Sequence, residues 1–265
     1  MLNYKNIKFY TQDDFKFMQK AGFLAAEVLD FIQKYINAGV TTNYLNNLCH
    51  KFILKKGAIP APLHYKHFPK SICTSINHVV CHGVPSKSKL YDGDLINIDI
   101  TIVLDGWYGD TSRMYYVGKK NNTKGKLLSE VTYNAMLEGI SVIKPGVKFS
   151  KIGKTIESYA KAFGYSVVKE YCGHGIGKQF HDLPNILHYE DKKQALIVKK
   201  GMFFTVEPMV NIGKEETKIL SDHWTVVTQD NQLSAQFEHT IGVNEDGHEI
   251  FTRSIKKTDF PVSNE

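Results

Sequence analysis

The chain repeats one plan twice, and that repetition narrows the folds open to it more than any other feature. Gly93-Asp94-Leu95-Ile96-Asn97-Ile98-Asp99 matches Gly201-Met202-Phe203-Phe204-Thr205-Val206-Glu207, with glycine and acid six residues apart in both. Val80-Cys81-His82-Gly83 is similar to Tyr171-Cys172-Gly173-His174-Gly175, and Asp110 and Glu238 each fall on a later strand of their half. Each half thus brings a histidine, an acid at the end of an apolar run and a second acid downstream. Three matches in one order point to an internal duplication about a pseudo-twofold axis, with halves at about 11–118 and 123–251 and a cleft at the seam. No linker, low-complexity run or shift in composition separates the halves. The expectation is one interlocked domain over residues 1–265.

Within the first half, Gly93 to Val117 reads as a β-hairpin. Ile96, Ile98, Ile100 and Ile102 alternate with Asn97, Asp99 and Thr101, the period of a strand with two unlike faces. Asp105-Gly106 is a two-residue turn signal, because both positions tolerate positive φ. A turn centred there sets Thr101 opposite Asp110, with Asp99 a diagonal step away on the same face, roughly 7–8 Å at Cα. The isoleucine face must be buried, so the carboxylates look into a cleft. Held that close, two like charges repel unless a cation or a proton intervenes.

The remaining pattern fits an α+β chain. Thr11 with Asp14 forms a capping box for a helix carrying Phe15, Met18, Leu24, Val28, Leu29, Ile32, Tyr35 and Ile36, stopped by Gly39. A second helix runs from about Thr42 to Lys56. Ala58 to Pro69 is an irregular, proline-stiffened wall, and Ser71 to His82 reads as one strand. The second half predicts helices over roughly 124–143 and 150–163, then strands at 166–171, 202–206, 224–228 and 236–243.

Composition sets the class. Hydrophobic residues at 42% and charged residues at 23% are ordinary for a globular protein, with no apolar run long enough to span a bilayer. The first residues lack the apolar core of a signal peptide, and the four cysteines form no C-x-x-C pair; a cytoplasmic protein with reduced thiols is expected. A net charge of +6 would suit a nucleic-acid surface, but the lysines are scattered and read as a solvated face.

The two halves together supply Asp99, Asp110, His174, Glu207 and Glu238, four carboxylates and one imidazole. Bridging carboxylates suit two divalent ions, and an oxygen-rich set favours manganese, iron or cobalt over a thiolate-bound structural zinc. Such a centre makes a nucleophile of water at neutral pH and polarises a carbonyl, which argues for hydrolysis. His82, as the counterpart of His174, should face the same cleft. His181 sits in a proline-containing loop, where its residues alone suit equally a surface histidine or a donor to a developing oxyanion. The other eight histidines read as structural or solvated: His50, His64, His67, His78, His188, His223, His239 and His248.

These residues carry a resemblance. INHVVCHGVP, DLINIDITIVLDGWYGDTSRMYYVG, YCGHGIGKQFHDLPNILHY, FFTVEPM and SAQFEHTI, in that order and across nearly the whole chain, resemble the bacterial type I methionine aminopeptidases. The resemblance implies a pita-bread fold: two pseudo-twofold-related α/β halves around a central, curved, mostly antiparallel sheet covered by helices. It implies that Asp99, Asp110, His174, Glu207 and Glu238 ligate two divalent ions (cobalt, manganese or iron(II), with zinc and nickel as alternatives), Asp110 and Glu238 bridging. It places His82 near the scissile amide and His181 near its carbonyl oxygen, and has Glu207 shuttle a proton to the leaving amine. The methionine side chain would meet Tyr65, Phe68, Cys73, His82, Phe180 and Trp224, with His181 also against the substrate. The implied substrate is the N-terminal methionine of nascent polypeptides with a small second residue, taken by a monomer that meets the ribosome and no membrane. Two positions depart from the family: Phe68 stands where tyrosine is common, and Pro62 where some members have cysteine. The stretch between His181 and Glu207 is too short for the helical insertion of type II relatives.

Three other readings compete: an aminopeptidase of other specificity, a silent binding protein on the same scaffold, and a thiol hydrolase using Cys172 and His174. A silent scaffold should have lost one of the five ligands, and a thiol hydrolase leaves four carboxylates unexplained.

Overall fold

Thr11 starts the first helix as the sequence predicts. Its hydroxyl accepts from the Asp14 N–H, and the Asp14 carboxylate accepts from the Thr11 N–H. The helix, α1, covers Gln12–Ile32 and ends in a 3₁₀ turn over Gln33–Tyr35, short of Gly39. Gly39 instead adopts φ 87° and turns the chain toward the next helix, α2 (Thr42–Lys55). The structure, a computed structural model, describes residues 4–260. Among those residues no helix is long and apolar enough to cross a membrane.

The buried face of α1 lies on the central hairpin, strands Leu95–Leu104 and Trp107–Tyr116. Phe15, Met18, Val28, Leu29 and Ile32 pack with Ile96, Ile98, Ile100 and Ile102, all within one apolar core. Each such side chain, fully buried, contributes about 1.5–3 kcal/mol. Gly109 lets the helix sit on the hairpin backbone, since a Cβ there would collide with the Ala21 carbonyl. The turn is as the sequence predicts, with Asp105 at φ 51° and Gly106 at φ 80°. Thr101 pairs with Asp110, and Asp99 with Ser112.

Every strand pairing among the described residues is antiparallel. Cys73–Ile76 and Ile59–Pro60 pair with the edge of Leu95–Leu104 that faces away from Trp107–Tyr116, completing a four-stranded sheet. A five-stranded sheet runs His248–Ile250, His239–Val243, Phe203–Val206, Gly173–Gly175, Asp182–Ile186. The two meet where Glu238 bridges to Ser112, its N–H donating to the Ser112 carbonyl at 3.2 Å. Two three-stranded sheets complete the frame, and one of them pairs Val79–Cys81 of the first half with Val226–Thr228 of the second. Helices α3 (Thr123–Ser141) and α4 (Phe149–Ala162) cover the second half around Phe149, Phe204, Val206 and Phe237. Side chains cross the seam: Ile176, Phe203 and Phe251 enter the first core, and Leu95 and Met114 enter the second.

Two strands expected as continuous are broken, and a third is cut short. Ser71 to His82 divides at Asn77, which takes φ 55° and ties the turn by donating to Asp94 and accepting from the Leu95 N–H. The strand predicted over 236–243 divides into Ser234–Gln236 and His239–Val243, with Glu238 in the gap. The strand predicted over 166–171 keeps only Ser166–Val167.

One buried ion pair braces the back of the hairpin. Arg113 donates to Asp30 of α1 at 2.9 Å and lies 3.6 Å from Asp259, while Ser254 and Thr258 also donate to Asp30. Both side chains are almost fully enclosed, at 3% and 4% exposure. Removing one member leaves an uncompensated buried charge, which costs about 3–5 kcal/mol. Asp30→Ala should therefore lose about 3 kcal/mol in denaturant unfolding, the lower end because Asp259 remains. A loss below about 1 kcal/mol would mean that Asp259 alone suffices.

Candidate metal centre

The hairpin, the five-stranded sheet and two loops wall a single cavity of about 180 Å³, and every residue given a role from the sequence lines it. Asp99 and Asp110 enter from the hairpin. His174 comes from the strand Gly173–Gly175, Glu207 follows Phe203–Val206, and Glu238 occupies the strand break beside Ser112. Ligand atoms of Asp110, His174 and Glu238 lie within 4.8 Å of one another. His174 Nε2 is 3.6 Å from both Asp110 Oδ2 and Glu207 Oε1.

The electrostatics follow from this crowding. Burial pushes the Asp99 carboxyl up to about 7 and Glu207 up to about 8. Burial, then the charges of neighbouring carboxylates, lifts Asp110 and Glu238 well above the ordinary range. Four ionised carboxylates in so small a space require positive charge among them. His174 answers in kind: burial lowers it to about 4, so the ring is neutral. Its Nδ1 lies 3.1 Å from the Gly175 carbonyl, which assigns the hydrogen there and leaves the Nε2 lone pair facing the carboxylates. This donor set fits divalent cations, hard oxygen ligands with one neutral imidazole.

The flanking glycines of His174 have a steric role beyond close ligand approach. A Cβ at Gly173 would strike the Thr205 carbonyl, and one at Gly175 the Leu183 carbonyl. The neighbouring strands press on the short segment that carries the histidine.

Aromatic side chains form the rest of the cavity. Phe68 meets Trp224 edge-on at 5.1 Å, and Phe180 packs on Tyr65 at 4.8 Å. Cys73 is buried and pairs in register with Asp99. His82, at φ 54°, sets its ring against Tyr171 and Trp224, and burial lowers it to about 4. His181 stands at the mouth with Nδ1 3.0 Å from the Tyr65 hydroxyl and its ring centroid 4.2 Å from that of His174. Its packed surroundings, with His174 and Lys66 close by, push it down to about 3. Cys172 lies outside this lining, and burial pushes its thiol up to about 11, which removes the thiolate a thiol hydrolase needs.

Several supporting roles were not read from the sequence. The Thr101 hydroxyl donates to Asp110 Oδ1 at 2.7 Å. Thr205 donates to Glu207 Oε1 at 2.6 Å and accepts from the His174 N–H at 3.0 Å, so one hydroxyl aligns both. Gln236 Nε2 reaches Glu207 Oε2 at 3.4 Å. His188 is fully buried, and its Nε2 accepts from the Glu207 N–H at 3.1 Å. Burial lowers His188 to about 3, which keeps the acceptor neutral. Thr101 and Thr205 were findable, one opposite Asp110 and the other two residues before Glu207 on one strand face. His188 had no local signal.

Residues 16–245 match the model of metallopeptidase family M24. The methionine aminopeptidase of Rickettsia prowazekii is 61% identical over 257 residues, covering 96% of this chain and 98% of its own length. That of Escherichia coli K12 is 46% identical over 255 residues, 96% of each chain. The crystal structure of the Rickettsia enzyme matches with a TM-score of 0.91 at 60% identity, over 93% of this chain and 99% of that one. A prolidase from Pyrococcus furiosus shares the fold alone, at 21% identity and a TM-score of 0.73, over 93% of this chain and 65% of its own. Divalent metal use is common to the metallopeptidase family and to the donor set described above. Likeness of this extent over nearly the full length of both chains leaves one assignment: the chain has the pita-bread fold and belongs to metallopeptidase family M24, among its bacterial type I methionine aminopeptidases.

Proposed function

We propose that the chain removes the N-terminal methionine of nascent polypeptides whose second residue is small, acting as a cytoplasmic monomer. The observation that carries this reading is the union of four crowded carboxylates and a neutral imidazole with an aromatic pocket in one cavity. Asp99, Asp110, His174, Glu207 and Glu238 would hold two divalent ions, manganese, iron(II) or cobalt by donor type, with Asp110 and Glu238 shared; bound there, the ions activate water and polarise the scissile carbonyl. Tyr65, Phe68, Cys73, Phe180 and Trp224 enclose the methionine side chain, whose flexible thioether suits aromatic walls. With the Tyr65 hydroxyl donating to His181 Nδ1, the His181 Nε2–H points its hydrogen at the carbonyl oxygen as negative charge develops. His82 borders the scissile amide. Glu207, held in one orientation by Thr205, Gln236 and the His188 acceptor, passes a proton to the leaving amine.

Selectivity at the second residue follows from the lip. Residue one fills the pocket, so residue two sits among Tyr65, His82 and His181. The lip over Pro62–Pro69 closes on itself through hydrogen bonds from the His64 N–H to the Phe68 carbonyl and from the Phe68 N–H to the Tyr65 carbonyl, both 2.8 Å. A bulky side chain must displace it, and a shift of about 1 Å costs some 10²-fold in rate. Met-Ala-Ser should therefore be cleaved about 10²-fold better in kcat/KM than Met-Lys-Ser, and acetyl-Met-Ala-Ser hardly at all. Comparable values would point to an aminopeptidase of other specificity.

Nascent substrates also favour contact with the ribosome. Lys119, Lys120, Lys124 and Lys126, with Lys192, Lys193, Lys199 and Lys200, are exposed and offer phosphate contacts. Co-sedimentation with ribosomes at low salt should fall steeply as salt rises; no association at low salt would remove this part of the proposal.

A further inference from the structure

We infer that Lys66 and the groove beside it bind the third and fourth residues of the peptide substrate and favour an acidic side chain there. The inference rests on the aminopeptidase reading above and extends it outward from the cavity. A second concavity, of about 420 Å³, adjoins the metal cavity and shares Lys66 and Trp224 with it. Its other walls include His67, Val84, Asp222 and His223. A peptide with residue one in the pocket and residue two at the lip advances about 3.3–3.6 Å per extended residue. Its next side chains then enter this groove.

Lys66 is the residue that gives the groove a preference. Its ammonium has no carboxylate partner among the described residues, and it lies 5.3 Å from the centre of the Tyr65 ring. The backbone holds it there: His64, Lys66 and His67 all take positive φ, at 69°, 46° and 71°, without a glycine among them. Left-handed conformations at three non-glycine positions of one lip mark a functional constraint. The lip sets an exposed cation on the rim shared by the metal cavity and the groove.

The facing carboxylate, Asp222, keeps its charge but forms no ion pair with Lys66. Asp222 Oδ1 accepts from the Trp224 and Thr225 N–H groups at 3.0 and 2.8 Å, and Oδ2 from the Thr225 hydroxyl at 2.5 Å. Its oxygens are committed to its own turn, so it braces the Trp224 wall and leaves the Lys66 side for an incoming acid. A peptide carrying lysine at the same place meets an unpaired like charge on one wall. The one carboxylate on the other, Asp222, already accepts three hydrogen bonds within its own turn.

The test uses the metal-loaded enzyme and two peptides, Met-Ala-Glu-Ser and Met-Ala-Lys-Ser. An exposed ion pair of this kind changes affinity by a few fold. The glutamate peptide should show about 3–5-fold higher kcat/KM, carried by KM, and the preference should shrink as salt screens the pair. Lys66→Gln should bring the ratio to about one, and Lys66→Glu should invert it. A wild-type ratio within about twofold, or a ratio unchanged in both variants, would overturn the groove while leaving the aminopeptidase reading intact. Failure of the wild type to cleave either peptide would overturn that reading, and this inference with it.

Discussion

Asp110→Asn should lower the hydrolysis of a Met-Ala peptide by more than about 10³-fold while the protein stays folded. The substitution keeps the volume, and the Thr101 hydroxyl that donates to Asp110 Oδ1 still has an oxygen to meet. What it removes is one negative charge from the point where Asp110, His174 and Glu238 converge. If Asp110 is shared between two ions, both lose a ligand at once. Ions held there would contribute several kcal/mol of charge stabilisation to the reaction, and each 1.36 kcal/mol is tenfold in rate. Metal content should fall together with activity, whereas circular dichroism and the apolar core should change little. Full activity in Asp110→Asn, or in exhaustively chelated protein, would sink the proposal.

His181→Ala should reduce kcat by about 10²–10³, the range for removing one oxyanion donor, with metal content nearly unchanged. The two effects separate because His181 hydrogen-bonds Tyr65, not the carboxylates. The rings of His174 and His181 are close, at 4.2 Å between centroids, so metal content is the necessary control. Tyr65→Phe should give a smaller loss, since it removes the group that orients His181 but not the donor itself. Loss of metal on replacing His181 would mean that ligand and donor have been exchanged in the proposal.

The hairpin was legible in the sequence because its signals are local: alternation fixes the face, and Asp105-Gly106 fixes the register that sets Thr101 against Asp110. The internal repeat then brought His82 and His174 to one cavity without any contact being known. What escaped depended on tertiary partners. Asn77 bends a strand because Asp94 and the Leu95 N–H are there to receive its side chain. His188 serves the site through a backbone N–H, a partner that carries no residue identity and leaves no pattern. The left-handed lip at His64, Lys66 and His67 has none of the glycines by which such a backbone is usually read. Propensity also placed the end of α1 too late, since a 3₁₀ turn and the apolar residues after it share the helix's spacing.

The convergence of the two halves on one centre has a consequence for the physics of the whole chain. Asp99 and Asp110 come from one half, His174, Glu207 and Glu238 from the other, and the sheets that carry them touch at the Ser112–Glu238 bridge. If those residues hold an ion, as proposed, it would cross-link the halves across a very long loop, and reversibly. Anything that binds only the folded chain stabilises it by mass action, about 2.7 kcal/mol at a hundredfold excess over Kd. Metal supply would then set how often the seam opens, and hydrogen exchange along the strands Trp107–Tyr116 and His239–Val243 should slow as metal is added.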